Sequence, residues 1–128
     1  MSAKYVVLLP GDESRWAAAT PEERAAAYAR HGEFAEQLAA RGHTITGGAE
    51  LTHSSQAKLV RVVEGAVTVT DGPYAETVEQ LTGYYEVETD DVDDLYQVVG
   101  ILPESTPDAD GGGAIEVRRV MSEEDRAS

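Results

Sequence analysis

His31 is the residue whose type and placement point most directly to chemistry. It falls on the apolar stripe of a predicted long helix, four residues after Ala27 and three before Phe34. An imidazole titrates near neutral pH and can move protons, so His31 is a candidate general base or acid. The alternative is a structural histidine of the core or a dimer interface, hydrogen-bonded to backbone.

Asp71 is the second candidate catalytic residue. It opens the turn Asp71-Gly72-Pro73-Tyr74. If its carboxylate reaches His31, it could orient the imidazole or pair with its charge. An aspartate in this position can instead cap its own turn through its side chain, with no role in catalysis.

Four further residues are candidates for binding a substrate. Tyr74 is the last residue of that turn and Glu76 comes two residues later; Glu76 could share a helical face with Glu79 if the residues from Ala75 to Leu81 form a helical turn. Arg61 and Arg118 are possible clamps for a substrate carboxylate or phenolate. The alternatives are a solvated acidic face for the glutamates and ion pairs with exposed acids for the arginines.

The sequence predicts neither a metal nor a cofactor. His43 and His53 are expected at the surface, and the three histidines lack the close spacing of a metal site. The acids at 90–94 lack the glycine and distal glutamate of a calcium loop. There is no cysteine, and no nucleotide fingerprint follows the first strand.

The elements that must position these residues can be read from apolar patterns and breakers. The long helix has the clearest start, with Thr20 as N-cap, Pro21 at the first helical position and Glu23 completing a capping box. It ends at Gly42. The predicted elements are strand Lys4–Leu9, helix Pro21–Arg41, strand His43–Leu51, hairpin Ala57–Val63 and Ala66–Thr70, strand Thr82–Thr89, helix Val92–Leu102 and strand Ala114–Met121.

This order predicts an α+β fold, a ferredoxin-like βαββαβ pattern with an added β-hairpin. We expect one domain over residues 1–121, followed by an acidic, disordered tail at 122–128. Helices cover one face of such a sheet, and the first strand is apolar on both alternations. The simplest cover for the second face is another copy of the chain, which predicts a homodimer.

The charge balance bears on partners. The formal net charge is −14, from 24 acidic and 10 basic residues, which disfavours nucleic acid and anionic membranes. No apolar run approaches the length of a membrane span, and the first strand starts almost at once. We therefore expect a cytoplasmic protein.

The run from Asp71 to Tyr85, DGPYAETVEQLTGYY, resembles the signature of the DGPF branch of the YCII-related domain family. The closing run from Gly112 to Arg118, GGAIEVR, is similar to that branch's last strand. Three departures are Tyr74 in place of phenylalanine, Arg119 in place of a proline, and a longer loop from Glu104 to Gly113. The resemblance implies a ferredoxin-like, dimeric α/β-barrel with a cleft near the sheet, where a histidine of the first helix and an aspartate are the usual candidates.

The resemblance leaves the function open, since most members have no assigned reaction and one relative removes chloride from a chlorinated hydroxyquinol. The leading hypothesis is a cofactor-free enzyme that uses His31 and Asp71 for proton transfer, in elimination or isomerisation, or a binder of a small polar or aromatic molecule. The alternative is a non-enzymatic regulatory module, because DGPF proteins often accompany sigma factors in bacterial genomes. A ligand sensor is the third hypothesis.

Overall fold

The computed structural model describes residues 2–73, 75, 79–106 and 113–127. The chain combines helices with antiparallel strands, several of which follow one another between the two longest helices, as expected for an α+β protein. The strands are β1 (Ala3–Asp12), β2 (Thr44–Glu50), β3 (Lys58–Val63), β4 (Ala66–Asp71), β5 (Glu79–Thr89) and β6 (Glu116–Arg119). The helices are α1 (Glu13–Ala18), α2 (Pro21–Ala40), α3 (Val92–Val99) and α4 (Glu123–Ala127), with 3₁₀ turns at Ser54–Gln56 and Pro103–Ser105.

Helix α2 begins as its sequence predicts. The Thr20 hydroxyl accepts from the Glu23 backbone N–H, and the Glu23 carboxylate accepts from the Thr20 backbone N–H, which completes the capping box. The helix ends before Gly42, whose φ of +84° is a left-handed conformation that glycine adopts without strain. These two boundaries fix where along α2 the side chain of His31 emerges.

The main sheet is antiparallel, in the order β2-β5-β1-β6. Alternation along β1 sends Val7 and Leu9 into the core, while Val6 and Leu8 point to the opposite face. Helices α2 and α3 pack on the same face and complete one core. Its buried apolar members are Val7, Leu9, Phe34, Leu38, Val87, Leu95, Val98, Val99 and Leu102.

Strands β3 and β4 form a separate two-stranded hairpin, as the sequence predicts. Its turn residues Glu64 and Gly65 have φ values of 50° and 80°, the positive pair that a tight hairpin turn requires. Four valines share one face, and each is at least 60% exposed. They are Val60, Val62, Val67 and Val69.

Several predicted boundaries differ from the structure. Strand β1 extends to Asp12, because a bulge between Leu9 and Pro10 lets the strand continue its pairing with β5 past the proline. Helix α3 stops at Val99, before Gly100, and residues 103–105 form a 3₁₀ turn in the predicted loop. Where a disordered tail was expected, Asp125 accepts from the backbone N–H of Ser122 and from Arg119, and α4 forms. Among the described residues, no helix is long and apolar enough to span a bilayer.

Candidate functional site

His31 lies at the centre of a three-residue polar cluster drawn from three parts of the chain. Its Nδ1 is 2.7 Å from the Tyr85 hydroxyl, and its Nε2 is 2.8 Å from Glu104 Oε1. The side chains of His31 and Glu104 are 19% and 20% exposed, so solvent reaches the edge of the cluster. A hydroxyl, an imidazole and a carboxylate in this order form a chain through which protons can move.

Each member is positioned by a different element. His31 lies on α2, one turn before the buried Phe34, and the Phe34 and Tyr85 ring centroids are 5.0 Å apart. Tyr85 lies on β5 opposite the buried Val7, on the face that the helices cover. Glu104 belongs to the 3₁₀ turn that follows the buried Leu102. Packing of α2, β5 and this turn on one core therefore assembles the cluster.

Gly48 lets β2 approach Tyr85 closely. A Cβ added at Gly48 would lie 2.7 Å from the Tyr84 carbonyl oxygen and 3.4 Å from Tyr85 Cδ1. Its φ of +152° is also one that side chains rarely adopt. The glycine-broken strand in the sequence thus has a role: it allows β2 to hold the Tyr85 ring against α2.

With an ionised Glu104 and a neutral His31 ring, the two hydrogen bonds fit one arrangement of protons. An ionised carboxylate only accepts, so His31 Nε2 carries a proton and donates it to Glu104. In the neutral ring, Nδ1 then accepts from the Tyr85 hydroxyl. This tautomer leaves Nδ1 as the basic nitrogen, with the carboxylate ready to stabilise an imidazolium.

The electrostatic environment keeps Tyr85 protonated. Burial raises the pKa of the Tyr85 phenol, and the negative charges of Glu104 and Glu50 raise this pKa further. Glu50 also accepts from the hydroxyl of Tyr28, at 2.8 Å, and this bond raises the pKa of Tyr28. Tyr85 is therefore a proton donor at neutral pH, in a region of negative potential.

One atom of the cluster lacks a partner. Glu104 Oε2 is buried and has no hydrogen-bond donor among the described residues, while Oε1 accepts from His31. Buried carboxylate oxygens almost always accept at least one hydrogen bond. The carboxylate thus holds one unused acceptor next to the imidazole.

A family model for the YCII-related domain matches residues 3–124. The chain belongs to the YCII-related domain family. No curated protein matches it at a significant level. The match covers both helices of the core, all six strands and the three residues of the cluster.

In this YCII-related domain, Asp71 occupies a different environment from His31. It ends β4 of the hairpin, its side chain is 83% exposed, and its carboxylate accepts from Lys58 Nζ. This hydrogen bond lowers the pKa of Asp71. Both ring nitrogens of His31 form hydrogen bonds to other residues, Tyr85 and Glu104. Within this chain, Asp71 therefore does not orient the imidazole.

The predicted binding residues are also dispersed. Arg61 lies on β3 and donates to Thr70 Oγ1 at 3.3 Å, and Arg118 lies on β6 with its Nε 3.7 Å from Glu116 Oε2. Both arginines therefore have the local partners that the sequence allowed as the alternative. Tyr74 and Glu76 lie outside the described residues.

His43 contradicts the surface position expected for it. His43 is 5% exposed; its Nδ1 is 2.6 Å from Thr89 Oγ1, and its Nε2 is 2.7 Å from Asp94 Oδ2. Asp94 also accepts from Arg41. The hydrogen bond from His43 lowers the pKa of Asp94, and Arg41 lowers it further. His43 is buried because its ring links the end of α2 to the start of α3. In the sequence it follows the end of a helix, a position at which a surface loop is usually expected.

Two expectations concern other parts of the domain. Among the residues that the structure describes, no group of three His, Asp or Glu side chains is placed to hold a metal ion. A cleft does lie against the sheet, but Leu8, Pro10, Leu81 and Glu116 line it, and Leu8 points to the face away from α2. The cleft and the His31 cluster are therefore separate features.

Sequence reasoning singled out His31 as a candidate and missed its hydrogen-bond partners. Tyr85 could have been found, because alternation along β5 places it on the same face as the buried Val87, towards α2. Glu104 carries no such signal. It is 73 residues from His31, in a segment whose composition predicts only a loop.

Proposed function

We propose that this YCII-related domain binds a small polar or aromatic molecule at the Tyr85–His31–Glu104 cluster and transfers a proton to or from it without a cofactor. The supporting observation is the unbroken chain of hydrogen bonds from the Tyr85 hydroxyl through both nitrogens of His31 to Glu104. Glu104 takes the orienting role that the sequence suggested for Asp71.

The proton path follows from this order. Tyr85 gives its hydroxyl proton to His31 Nδ1 while its oxygen accepts a proton from the bound compound. His31 becomes an imidazolium, and the Glu104 carboxylate stabilises its charge through Nε2. Running the path backwards returns the proton, either to another carbon, which is an isomerisation, or to a leaving group, which is an elimination.

Hydrogen exchange tests this function without knowledge of the substrate. A panel of enolisable ketones and phenols is incubated in heavy water with wild type, His31→Ala or Tyr85→Phe, and deuterium uptake is followed by NMR. Wild type should exchange at least one compound about 100-fold faster than His31→Ala, the usual contribution of a positioned acid–base group. His53→Ala, which alters an exposed histidine outside the cluster, should match wild type. Equal exchange by wild type and His31→Ala contradicts the proposal.

The fold and assembly have a related proposal. The strand order β6-β1-β5-β2, with both core helices on one face, is consistent with a ferredoxin-like domain of the DGPF branch. The opposite face includes Leu8 and Tyr84, and the hairpin presents its four exposed valines. Apolar surface of this extent favours a homodimer that closes a dimeric barrel. The cytoplasmic location expected from the sequence stays a proposal.

Oligomeric state can be measured by sedimentation of matched hairpin variants. Val62→Asp places a charge on the valine face and should shift the protein to the monomer mass. Thr70→Asp, on the other face of the same hairpin beside Arg61, should leave a dimer. A monomeric wild type, or a Val62→Asp variant that stays dimeric, counts against the proposed interface.

The same valine face favours one alternative function. In a monomeric protein it would be free for another protein, as expected of a regulatory module that acts with a sigma factor. Affinity capture from the native host, with Val62→Asp as control, tests this alternative. Recovery of no protein that depends on Val62 would exclude it.

A further inference from the structure

The unpartnered oxygen of Glu104 carries information about the ligand. Within the described ranges, Glu104 Oε2 is the buried side-chain oxygen or nitrogen that lacks a hydrogen bond. It belongs to the carboxylate that orients His31, so it lies beside the imidazole at which a ligand of the proposed site would bind. A buried acceptor without a donor is destabilising, and a ligand that supplies the donor removes that penalty.

A carboxylate oxygen selects for hydrogen-bond donors. It accepts from N–H and O–H groups and repels the oxygens of carboxylates and phosphates. A cationic N–H donor forms the stronger, charge-assisted bond. The missing partner is therefore an N–H or O–H group on a neutral or cationic molecule.

The surrounding charges act in the same direction. Glu50 adds a second negative charge that the Tyr85 phenol experiences, as the raised pKa of Tyr85 indicates. The arginines of α2 and of its C-cap have partners elsewhere, since Arg24 donates to the Trp16 and Ala17 carbonyls, Arg30 pairs with Glu33 and Arg41 pairs with Asp94. Arg61 and Arg118, once candidate anion clamps, bond to Thr70 and Glu116.

Aromatic rings give the cluster a flat wall. The His31 and Tyr85 rings lie 28° from parallel with centroids 5.8 Å apart, and Phe34 packs against Tyr85. A planar group bearing the donor fits against such rings, and a cation gains further from their faces.

We propose that the Tyr85–His31–Glu104 site selects small planar molecules that are neutral or cationic and that donate an N–H or O–H group to Glu104 Oε2, and that it discriminates against anions. This selectivity rests on the proposed function because it uses the same site. It replaces the anionic substrate suggested by Arg61 and Arg118 with the opposite charge class.

Three probes of similar size and shape test the charge class. Benzamidine, benzamide and benzoate place a cationic, a neutral and an anionic group on the same ring. Binding is followed by NMR titration of the His31 ring and Tyr85 signals at pH 7.5 and low salt. Dissociation constants should rise in that order. Benzamidine should bind at least about tenfold more tightly than benzoate, because the Glu104 carboxylate attracts the cation and repels the anion.

Glu104→Gln tests whether Oε2 is responsible. The amide keeps the side-chain shape and removes the charge, so benzamidine should bind about tenfold more weakly, while benzoate, no longer repelled by the carboxylate, should bind more tightly. Glu33→Gln is the matched control, because Glu33 lies on α2 near His31 but is exposed and bonded to Arg30. It should bind all three probes as wild type does.

The outcomes separate this inference from the proposed function. Equal or tighter binding of benzoate, no binding of any probe, or benzamidine binding that Glu104→Gln leaves unchanged would each overturn the selectivity. The wild-type ranking alone decides the matter should Glu104→Gln fail to fold. If the probes bind in the predicted order but no compound exchanges deuterium, the site is a cation-selective binding site and the proposed enzyme activity is wrong. If deuterium exchange is fastest on anionic compounds, the proposed enzyme activity stands and the proposed charge selectivity is wrong.

Discussion

Two histidines of this domain have the same kinds of neighbour and opposite surroundings. His31 lies between a tyrosine hydroxyl and a glutamate, and His43 lies between a threonine hydroxyl and an aspartate. The side chain of His31 is 19% exposed, whereas that of His43 is 2% exposed. A hydroxyl–imidazole–carboxylate order therefore does not by itself identify a functional site.

What distinguishes the two clusters is how completely their hydrogen bonds are satisfied. Around His43, the Thr89 hydroxyl also accepts from the Asp91 backbone N–H, and Asp94 also accepts from Arg41. Around His31, Glu104 Oε2 has no donor among the described residues, and solvent reaches the edge of the cluster. A closed network stabilises the fold, whereas an open one holds an acceptor that a ligand can satisfy.

The largest expected effect is the loss of stability on changing His43. His43→Ala leaves Asp94 and Thr89 without the buried ring between them and opens a cavity. The free energy of unfolding should fall by about 3 kcal/mol. Urea denaturation at pH 7 measures it, with His31→Ala as the comparison. A loss of less than about 1 kcal/mol would mean that the His43 network is not structural.

The loss of stability at low pH should depend on Asp94 and not on Asp71. Both carboxyls have a lowered pKa, Asp94 through His43 and Arg41, and Asp71 through Lys58. A lowered folded-state pKa stabilises the protein above the unfolded-state value of 3.8, and this contribution is lost as pH falls towards the folded-state pKa. The stability advantage of wild type over Asp94→Asn should therefore be constant from pH 7 to about 5 and shrink below about pH 4.

Asp71→Asn is the control for that experiment. The pair of Asp71 with Lys58 is exposed and screened by solvent and salt, so wild type and Asp71→Asn should unfold alike at every pH. Urea midpoints measured between pH 2.5 and 7 for the three proteins decide the matter. If wild type stays more stable than Asp94→Asn by the same amount down to pH 2.5, ionisation of Asp94 does not contribute to the pH dependence of stability.

Much of the fold could be predicted from local sequence. The capping box at Thr20, the stop at Gly42 and the hairpin around Glu64-Gly65 are confirmed because each depends on neighbouring residues. The α+β class and the four strands of the main sheet follow from apolar patterns. Boundaries after Pro10 and Val99 were wrong where pairing with β5 or a glycine overrode the pattern.

The candidate site was harder to predict because its partners meet only in the fold. His31 was found from one residue type on an apolar stripe, which is local information. Glu104 and Tyr85 lie 73 and 54 residues away. The expectation that His43 is exposed failed for the same reason, since its burial depends on Thr89 and Asp94, 46 and 51 residues away.

Among the two histidines, the smaller effect on stability is expected of His31→Leu. Leucine fills the space against Phe34, while water can reach the Tyr85 hydroxyl and Glu104 at the exposed edge of the cluster. The free energy of unfolding should stay within about 1 kcal/mol of wild type or rise, as is common where a residue is kept for function. Urea denaturation at neutral pH and fixed protein concentration measures it, alongside His43→Ala. A loss of about 2 kcal/mol or more would make His31 a second structural histidine. The two clusters would then differ only in exposure, and the stability argument for a functional role of His31 would fail.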